Sequence, residues 1–262
     1  MTSYASAPGT FTRNEDGRQR VPCPCGRTTL GPVSIAERFA VVTERVASAA
    51  RAAHRDPAEV QILAAVKTQT PERITELIDA GATLLGHNRA QELTELAPAL
   101  AVLRPGAALT HHFIGQLQTN KAARVVDLAT CVHSVDRRSL ATKLSALATQ
   151  RGRTLDVFVQ VNASGEETKA GVQPDDALQF ALDVAALPSL HVRGLMTIGA
   201  NSPDPAVVNA AFAVMQELSS AVGRSGLDAP ELSMGMSSDL EAAIAHGATM
   251  VRLGTDIFGP RP

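Results

Sequence analysis

Short apolar runs alternate with segments of helical periodicity over most of this chain, and this alternation restricts the possible folds more than any other feature. Strands that alternate with helices pair in parallel, because a parallel connection needs a long crossover that a helix supplies. Eight such units predict a closed (β/α)8 TIM barrel of the α/β class. The predicted strands are 60–66, 83–86, 111–115, 131–135, 157–162, 192–198, 232–234 and 250–254.

The alternative architecture is an open, doubly wound sheet. It is disfavoured because no predicted strand leads into a G-x-G-x-x-G turn. A barrel also explains an extra helix predicted over 34–53, which begins with the capping box of Ser34 and Glu37. No full helix is predicted after the eighth strand, so we expect the 34–53 helix to fill that vacant place in the outer ring.

The first 32 residues differ in composition from the rest of the chain. They contain Pro, Gly, Thr and Arg without apolar periodicity, which predicts a disordered N-terminal tail (1–32) before a single barrel domain (33–262). Cys23 and Cys25 lie in this tail without nearby Cys or His residues, so we expect no metal site there. Three cysteines form no disulfide framework, and the expected location is the reducing cytoplasm.

The charge balance limits the classes of partner. A net charge of −2 and a pI of about 6.4 give no basis for binding nucleic acid or membranes. We expect no apolar stretch long enough to cross a bilayer. No additional helix or hydrophobic arm remains for an interface, so we expect a monomer.

A lysine ends the first predicted strand. The run VQILAAV reads as a strand buried on both faces, and Lys67 follows it directly. Thr70 and Pro71 then begin a helix. Lys67 therefore lies at the edge of the sheet where ligands bind in α/β folds, although a lysine reaching from a strand end to water is the simple alternative.

The loops after strands seven and eight predict an anion site. Ser237 precedes a helix that we expect to begin with a capping box of Ser238 and Glu241, where N–H groups and hydroxyls favour an anion. Gly254 permits close approach to the backbone, and Thr255 adds a hydroxyl. Barrels often bind phosphate with these two loops. A lysine facing this site indicates either a phosphorylated substrate or pyridoxal phosphate held as a Schiff base.

Several stretches of the chain resemble the YggS/PROSC family, the pyridoxal phosphate homeostasis proteins, whose barrel is similar to the N-terminal domain of alanine racemase. The resemblance covers about residues 34–262. One departure is His87, which stands where the family usually has Glu. The stretches are AVKTQTP (65–71), GHNRAQE (86–92), HHFIGQLQTNK (111–121), VFVQVNASGEETKAGV (157–172), RGLMTIG (193–199) and LSMGMSSDLEAAIAHGATMVRLGTDIFG (232–259).

The resemblance implies a cofactor, pyridoxal 5'-phosphate, and a role for each of six residues. It implies that Lys67 forms the Schiff base and that Arg252 faces the pyridine nitrogen. It also implies that Asn88 lies in a loop beside the cofactor, and that the phosphate is held by Ser237, Gly254 and Thr255.

These residues predict cofactor binding rather than efficient catalysis. An arginine at the pyridine nitrogen disfavours its protonation, which weakens the ring as an electron sink. Racemases of this fold type use a tyrosine opposite the lysine, but the only tyrosine here is Tyr4 in the predicted tail. We therefore expect a homeostatic role with no catalytic residue; possible partners are cofactor-dependent apo-enzymes or amino acids. A racemase or lyase is the alternative, followed by an interaction protein built on a vestigial barrel.

The remaining polar residues have ordinary structural explanations. His111 and His112 show no metal-ligand spacing with a carboxylate, and His133, His191 and His246 are isolated in the sequence, so no metal site is expected. Glu166, Glu167 and Lys169 follow strand five, where they either face solvent or close over the cofactor.

Overall fold

The computed structural model describes residues 34–166 and 168–259. Its strands are all parallel and pair in sequence order, and the last strand pairs with the first, so the sheet is a closed barrel. This confirms the predicted (β/α)8 barrel and excludes an open sheet. The strands are β1 (Gln61–Ala65), β2 (Leu84–His87), β3 (Thr110–Phe113), β4 (Cys131–Val135), β5 (Leu155–Gln160), β6 (Leu190–Met196), β7 (Glu231–Ser233) and β8 (Met250–Leu253).

Helices surround the barrel, and their apolar faces form one continuous core with the outer side of the strands. The tail predicted over 1–32, including Cys23, Cys25 and Tyr4, lies outside the described residues. The α-helices are α1 (Ile35–Ala52), α2 (Pro71–Asp79), α3 (Ala90–Leu103), α4 (Ala122–Leu128), α5 (Arg138–Gln150), α6 (Pro174–Ala185), α7 (Pro205–Arg224), α8 (Leu240–Ala245) and α9 (Thr255–Phe258).

Helix α1 completes the outer ring, as predicted. The capping box of Ser34 and Glu37 is present at its start. The helix packs against α2, α8 and α9. Arg45 ties it to the end of the chain, because its guanidinium bonds the Glu241 carboxylate at 2.6 and 2.8 Å and the Asp256 carboxylate at 2.7 Å. Helix α9 has only four residues, so α1 occupies the position in the outer ring that a full helix after β8 would take.

Two predicted helix starts are wrong in detail. Helix α8 begins at Leu240 with Asp239 as its N-cap residue, so Ser238 does not form the predicted capping box with Glu241. The N-x-x-Q spacing of Asn88 and Gln91 predicts a cap with Asn88 as the N-cap residue, but α3 begins at Ala90 after Arg89 and has no such cap. In both places the loop before the helix is longer than the pattern indicated. Asn88 and Ser238 therefore lie in these loops and line the cleft at the carboxyl end of the strands.

Helix α7 qualifies the expectation that no stretch is long enough to span a bilayer. It has 20 residues and a mean hydropathy of 1.2, so it is long and apolar enough to cross a membrane. Core helices of soluble proteins often share this length and composition. The side chains of Ala211, Phe212 and Met215 are buried. The helix packs against α6, α8 and strands of the barrel, as expected for a helix of the outer ring.

The packing of α1 gives a direct test with neighbouring valines. Val42 is 3% exposed and Val41 is 68% exposed. We expect Val42→Ala to lower the free energy of unfolding by roughly 2 kcal/mol, because it removes buried methyl groups and leaves a cavity. Val41→Ala should change it by no more than about 0.5 kcal/mol. Equilibrium urea unfolding measures both, and equal losses would show that α1 does not bury this face.

Candidate functional site

One cleft at the carboxyl end of the strands brings together all six residues predicted to bind the cofactor. It has a volume of about 510 Å³. Lys67 comes two residues after β1, and Asn88 follows β2 directly. The lining residues are Ala65, Lys67, Gln69, Asn88, Ile114, Ile198, Met236, Ser237, Ser238, Arg252, Gly254, Thr255, Phe258 and Gly259.

A sharp turn places Lys67 at the rim of the barrel. The N–H of Val66 still donates to the Gly86 carbonyl at 3.0 Å, so the strand pairing extends to the residue before the lysine. Thr68 then adopts φ 63°, a left-handed conformation that a β-branched residue rarely takes. Such strained residues cluster at functional sites. The turn redirects the chain toward α2 and leaves the half-buried Lys67 side chain in the cleft.

Arg252 is buried and held rigidly in the floor of the cleft. Its Nη1 donates to the Ser233 carbonyl at 2.6 Å and to Ser233 Oγ at 3.0 Å. Its Nη2 donates to the Thr197 carbonyl at 2.7 Å. Burial lowers the pKa of the guanidinium to about 10, opposed by the nearby Asp239 carboxylate. The side chain is therefore still a cation at neutral pH.

Three residues that line the cleft beside the arginine have backbone N–H groups available to a ligand. No described residue accepts a hydrogen bond from the N–H of Ser237, Ser238 or Thr255. The Asp239 carboxylate shapes the first loop by accepting from the Met236 N–H at 2.5 Å. A Cβ on Gly254 would lie 3.1 Å from the Ala65 carbonyl oxygen, so glycine lets the β8 loop approach β1 closely. These donors and hydroxyls can bind an anion such as phosphate.

Asn88 depends on a glycine that the sequence did not mark. A Cβ on Gly115 would come within 1.9 Å of the Asn88 carbonyl oxygen, so the loop after β3 can pack on Asn88 only with glycine. Only the position of Gly115 after a strand could have indicated this. The contact supports Asn88 against the neighbouring loop.

The loop after β5 is held to the loop after β6 rather than left in solvent. Lys169 Nζ bonds the Glu166 carboxylate at 2.6 Å and the Gly199 carbonyl at 2.8 Å. The lysine side chain is only 17% exposed. Glu167 lies outside the described residues. A solvated loop is therefore the wrong interpretation for Lys169.

His87 is a buried neutral side chain where the related family usually has a carboxylate. Its Nε2 lies 2.9 Å from His111 Nδ1. Burial, with smaller contributions from His111 and His112, lowers the pKa of His87 to about 3. In a neutral imidazole one nitrogen donates and the other accepts, so two neutral histidines can hydrogen-bond each other without a counterion.

A second pair of histidines connects the barrel interior to Arg252. His112 Nδ1 lies 2.9 Å from His133 Nε2, and His133 Nδ1 lies 2.9 Å from Ser233 Oγ, which also accepts from Arg252. The sequence interpretation of His133 as isolated is thus wrong, because residues two apart on a strand and residues on neighbouring strands face the same side. His191 and His246 also have partners: Asp156 for the first, and Gln216 and Asn209 for the second.

Comparison with known proteins first defines the class. Residues 41–262 match the family model described as alanine racemase, N-terminal domain. An alanine racemase structure from Clostridium difficile 630 is 17% identical with a TM-score of 0.67, covering 84% of this chain and 57% of that chain, which shows the shared fold. The fold and cleft therefore define a barrel of the alanine racemase N-terminal class.

Closer relatives define the family within that class. Proteins named pyridoxal phosphate homeostasis protein match over 87% of this chain: the one from Pseudomonas aeruginosa is 44% identical with 96% of its length covered, and the one from Vibrio cholerae is 39% identical with 97% covered. The structure of PipY from Synechococcus elongatus PCC7942 with PLP bound is 33% identical, with a TM-score of 0.75, covering 86% of this chain and all of PipY. This chain belongs to the pyridoxal phosphate homeostasis protein family.

The buried histidines predict a loss of stability in mild acid. An unfolded histidine has a pKa near 6.5, whereas burial lowers the pKa of His87 to about 3 and of His112 to about 4. The two neutral histidines contribute fully to the free energy of unfolding above pH 6.5. Below that pH they bind protons in the unfolded chain but not in the folded protein, so this contribution is lost. We expect each to lower the free energy of unfolding by about 1.4 kcal/mol per pH unit from pH 6 downward to the folded pKa.

Urea unfolding between pH 7.5 and 5 measures this dependence. In His87→Gln, the slope below pH 6 should decrease by about one proton, or about 1.4 kcal/mol per pH unit. The comparison uses slopes, so any constant loss of stability in the variant cancels. An unchanged slope would mean that His87 is protonated in the folded protein.

Proposed function

We propose that this protein binds pyridoxal 5'-phosphate in the cleft, as a Schiff base on Lys67, and serves intracellular homeostasis of this cofactor. The observation that carries the proposal is the convergence of Lys67, Arg252 and the anion-binding loops on one cavity. The family membership supports it, as does the PLP bound to the similar PipY structure.

The residues present fit this cofactor. When bound, it supplies an aldehyde carbon with which a lysine amine forms a Schiff base. Ser237, Gly254 and Thr255 would bind the phosphate through hydroxyl and N–H groups, at the side of the cleft next to β8. Ile114, Ile198 and Met236 give the remaining wall an apolar surface suited to a ring. The cavity of about 510 Å³ lies within the usual range for small-molecule sites.

Arg252 would set the electronic state of the cofactor by facing its pyridine nitrogen. Its guanidinium cannot turn away, because Ser233 and Thr197 hold both terminal nitrogens. Two adjacent positive charges are unfavourable, so this arginine disfavours protonation of the ring nitrogen. The residues of the cleft thereby favour reversible binding over the chemistry that needs a protonated ring.

The described lining of the cleft has few groups that can transfer protons. Lys67 and Arg252 are its only ionisable side chains among the described residues. A racemase needs a second acid–base group on the opposite side of the substrate carbon. We therefore propose a carrier or regulator whose racemase or lyase activity is weak. We also propose that it is cytoplasmic and monomeric, with apo-enzymes or amino acids as partners.

Covalent attachment can be tested by reduction. The purified protein should absorb visible light as a Schiff base, and borohydride should fix one cofactor on Lys67, seen as a modified peptide by mass spectrometry. Lys67→Arg should remove the adduct, while Lys143→Arg, an exposed lysine of α5, should retain it. An unmodified Lys67 peptide after reduction of the yellow protein would refute the attachment.

A companion variant separates the phosphate site from the covalent one. Ser237→Ala should keep the adduct but raise the dissociation constant roughly tenfold, because it loses a hydrogen bond to a charged group. Ser220→Ala on α7 is the control, since that hydroxyl donates only to the Gln216 carbonyl of its own helix. Equal affinities of the two variants would remove Ser237 from the site.

Weak catalysis can be tested by isotope exchange. Alanine incubated with the loaded protein in deuterium oxide should exchange its α-hydrogen no more than about tenfold faster than with free cofactor, because a catalytic base typically adds a factor of 10² to 10⁴. Nuclear magnetic resonance follows the α-proton signal directly, and Lys67→Arg gives the background rate. Acceleration by several orders of magnitude would instead favour the racemase.

A further inference from the structure

A second group of chemically active side chains lies inside the barrel, at the end opposite the cleft. Cys131 is the first residue of β4, and His133 follows two positions later on the same strand. His112, on β3, is paired in register with Cys131. One ligand atom from each of the three lies within 4.8 Å of the other two. All three side chains are buried.

This group has the composition of a site for a thiophilic metal ion. A thiolate and two imidazoles are typical ligands of Zn²⁺, which is tetrahedral with Zn–S near 2.3 Å and Zn–N near 2.1 Å. Neighbouring ligand atoms of such a site lie roughly 3.5 Å apart. The separations here are at most 4.8 Å, and the two histidine nitrogens are 2.9 Å apart, so shifts of about an ångström would place the three ligand atoms at three corners of a tetrahedron. We propose that Cys131, His112 and His133 bind a divalent thiophilic cation such as Zn²⁺.

The surroundings of His133 fix its ring as metal sites require. Phe158 stacks on the imidazole with ring centroids 4.4 Å apart. Ser233 Oγ lies 2.9 Å from Nδ1, which leaves Nε2 as the ligand atom. Metal-binding histidines usually bond their other nitrogen to such a partner, which orients the ring. Binding replaces the contact of His133 with His112, since both nitrogens of that contact turn to the ion.

A cavity lies beside His112, one of the three proposed ligands. A volume of about 370 Å³ opens at the amino ends of the strands and is lined by His112 and Arg193. Water in this space can supply the fourth ligand, as in zinc sites that keep an open position. The cleft that holds Lys67 lies at the other end of the barrel, and the two sites share no lining residue.

Nearby charges balance the ion. Arg193 bonds the Glu231 carboxylate and lies 3.5 Å from the Asp156 carboxylate. The two carboxylates and one guanidinium together carry a charge of −1. Zn²⁺ with the Cys131 thiolate carries +1, which offsets the −1 of these three side chains; the Arg252 guanidinium, beyond Ser233, adds one positive charge. Binding forms the sulfur–metal bond and releases the thiol proton to solvent.

Cobalt is a suitable probe, because a Co²⁺–thiolate bond gives an intense near-ultraviolet absorption. The full chain carries two other cysteines, so the experiment uses matched variants. After treatment with a chelator, Cys23→Ser/Cys25→Ser should bind one equivalent of Co²⁺ with the thiolate absorption. Cys131→Ser should lose that absorption and bind Zn²⁺ at least tenfold more weakly. Absorption that follows Cys23 and Cys25 instead would overturn the proposal.

A structural measurement guards against a variant that does not fold. Zinc-edge X-ray absorption of the Cys23→Ser/Cys25→Ser protein, loaded with one equivalent of Zn²⁺, should show one sulfur and at least two imidazole nitrogens. A shell of oxygen and nitrogen only would refute the site. No binding of Zn²⁺ or Co²⁺ by this variant would also refute it, and would leave a hydrogen-bonded histidine pair beside a thiol.

Discussion

The buried guanidinium of Arg252 is the constraint on which the cleft depends. Removing such a cation from water costs several kcal/mol unless its donors are paired with good geometry. Here the acceptors are the carbonyl of Thr197, after β6, and the carbonyl and hydroxyl of Ser233, at the end of β7. One side chain of β8 thus fixes three neighbouring strands at the end of the barrel where the ligand loops begin.

The same requirement explains why this barrel is not filled with aliphatic side chains alone. Most barrels of this type pack layers of branched apolar residues inside. Here Ser233 satisfies the arginine and His133 satisfies Ser233, and the sequence of contacts ends at His112 near the opposite mouth. Neutral imidazoles suit this arrangement, because each can donate with one nitrogen and accept with the other.

Local patterns predicted the strands, most helices and four of the cleft residues (Lys67, Ser237, Gly254 and Thr255), because these depend on periodicity and on the ends of parallel strands. Asn88 and Arg252 came from the family resemblance. Lys67 and Thr255 could be placed together from the ends of the strands alone. The pairing of His112 with His133 could not, since it depends on the register between β3 and β4. Asp239, not Ser238, is the N-cap residue of α8, and its carboxylate accepts from the Met236 N–H in the preceding loop instead of from the helix.

The place of α1 has a consequence for how the protein reaches its native state. This helix leaves the ribosome before every strand of the barrel, yet it packs on α8 and α9 through the contacts of Arg45 with Glu241 and Asp256. The part of its surface that packs on α8 and α9 therefore remains uncovered until synthesis is nearly finished. Contacts between chain ends form late and slow the search. The helix that closes the ring is made before all eight strands, yet its packing is completed only after α8 and α9 have been made.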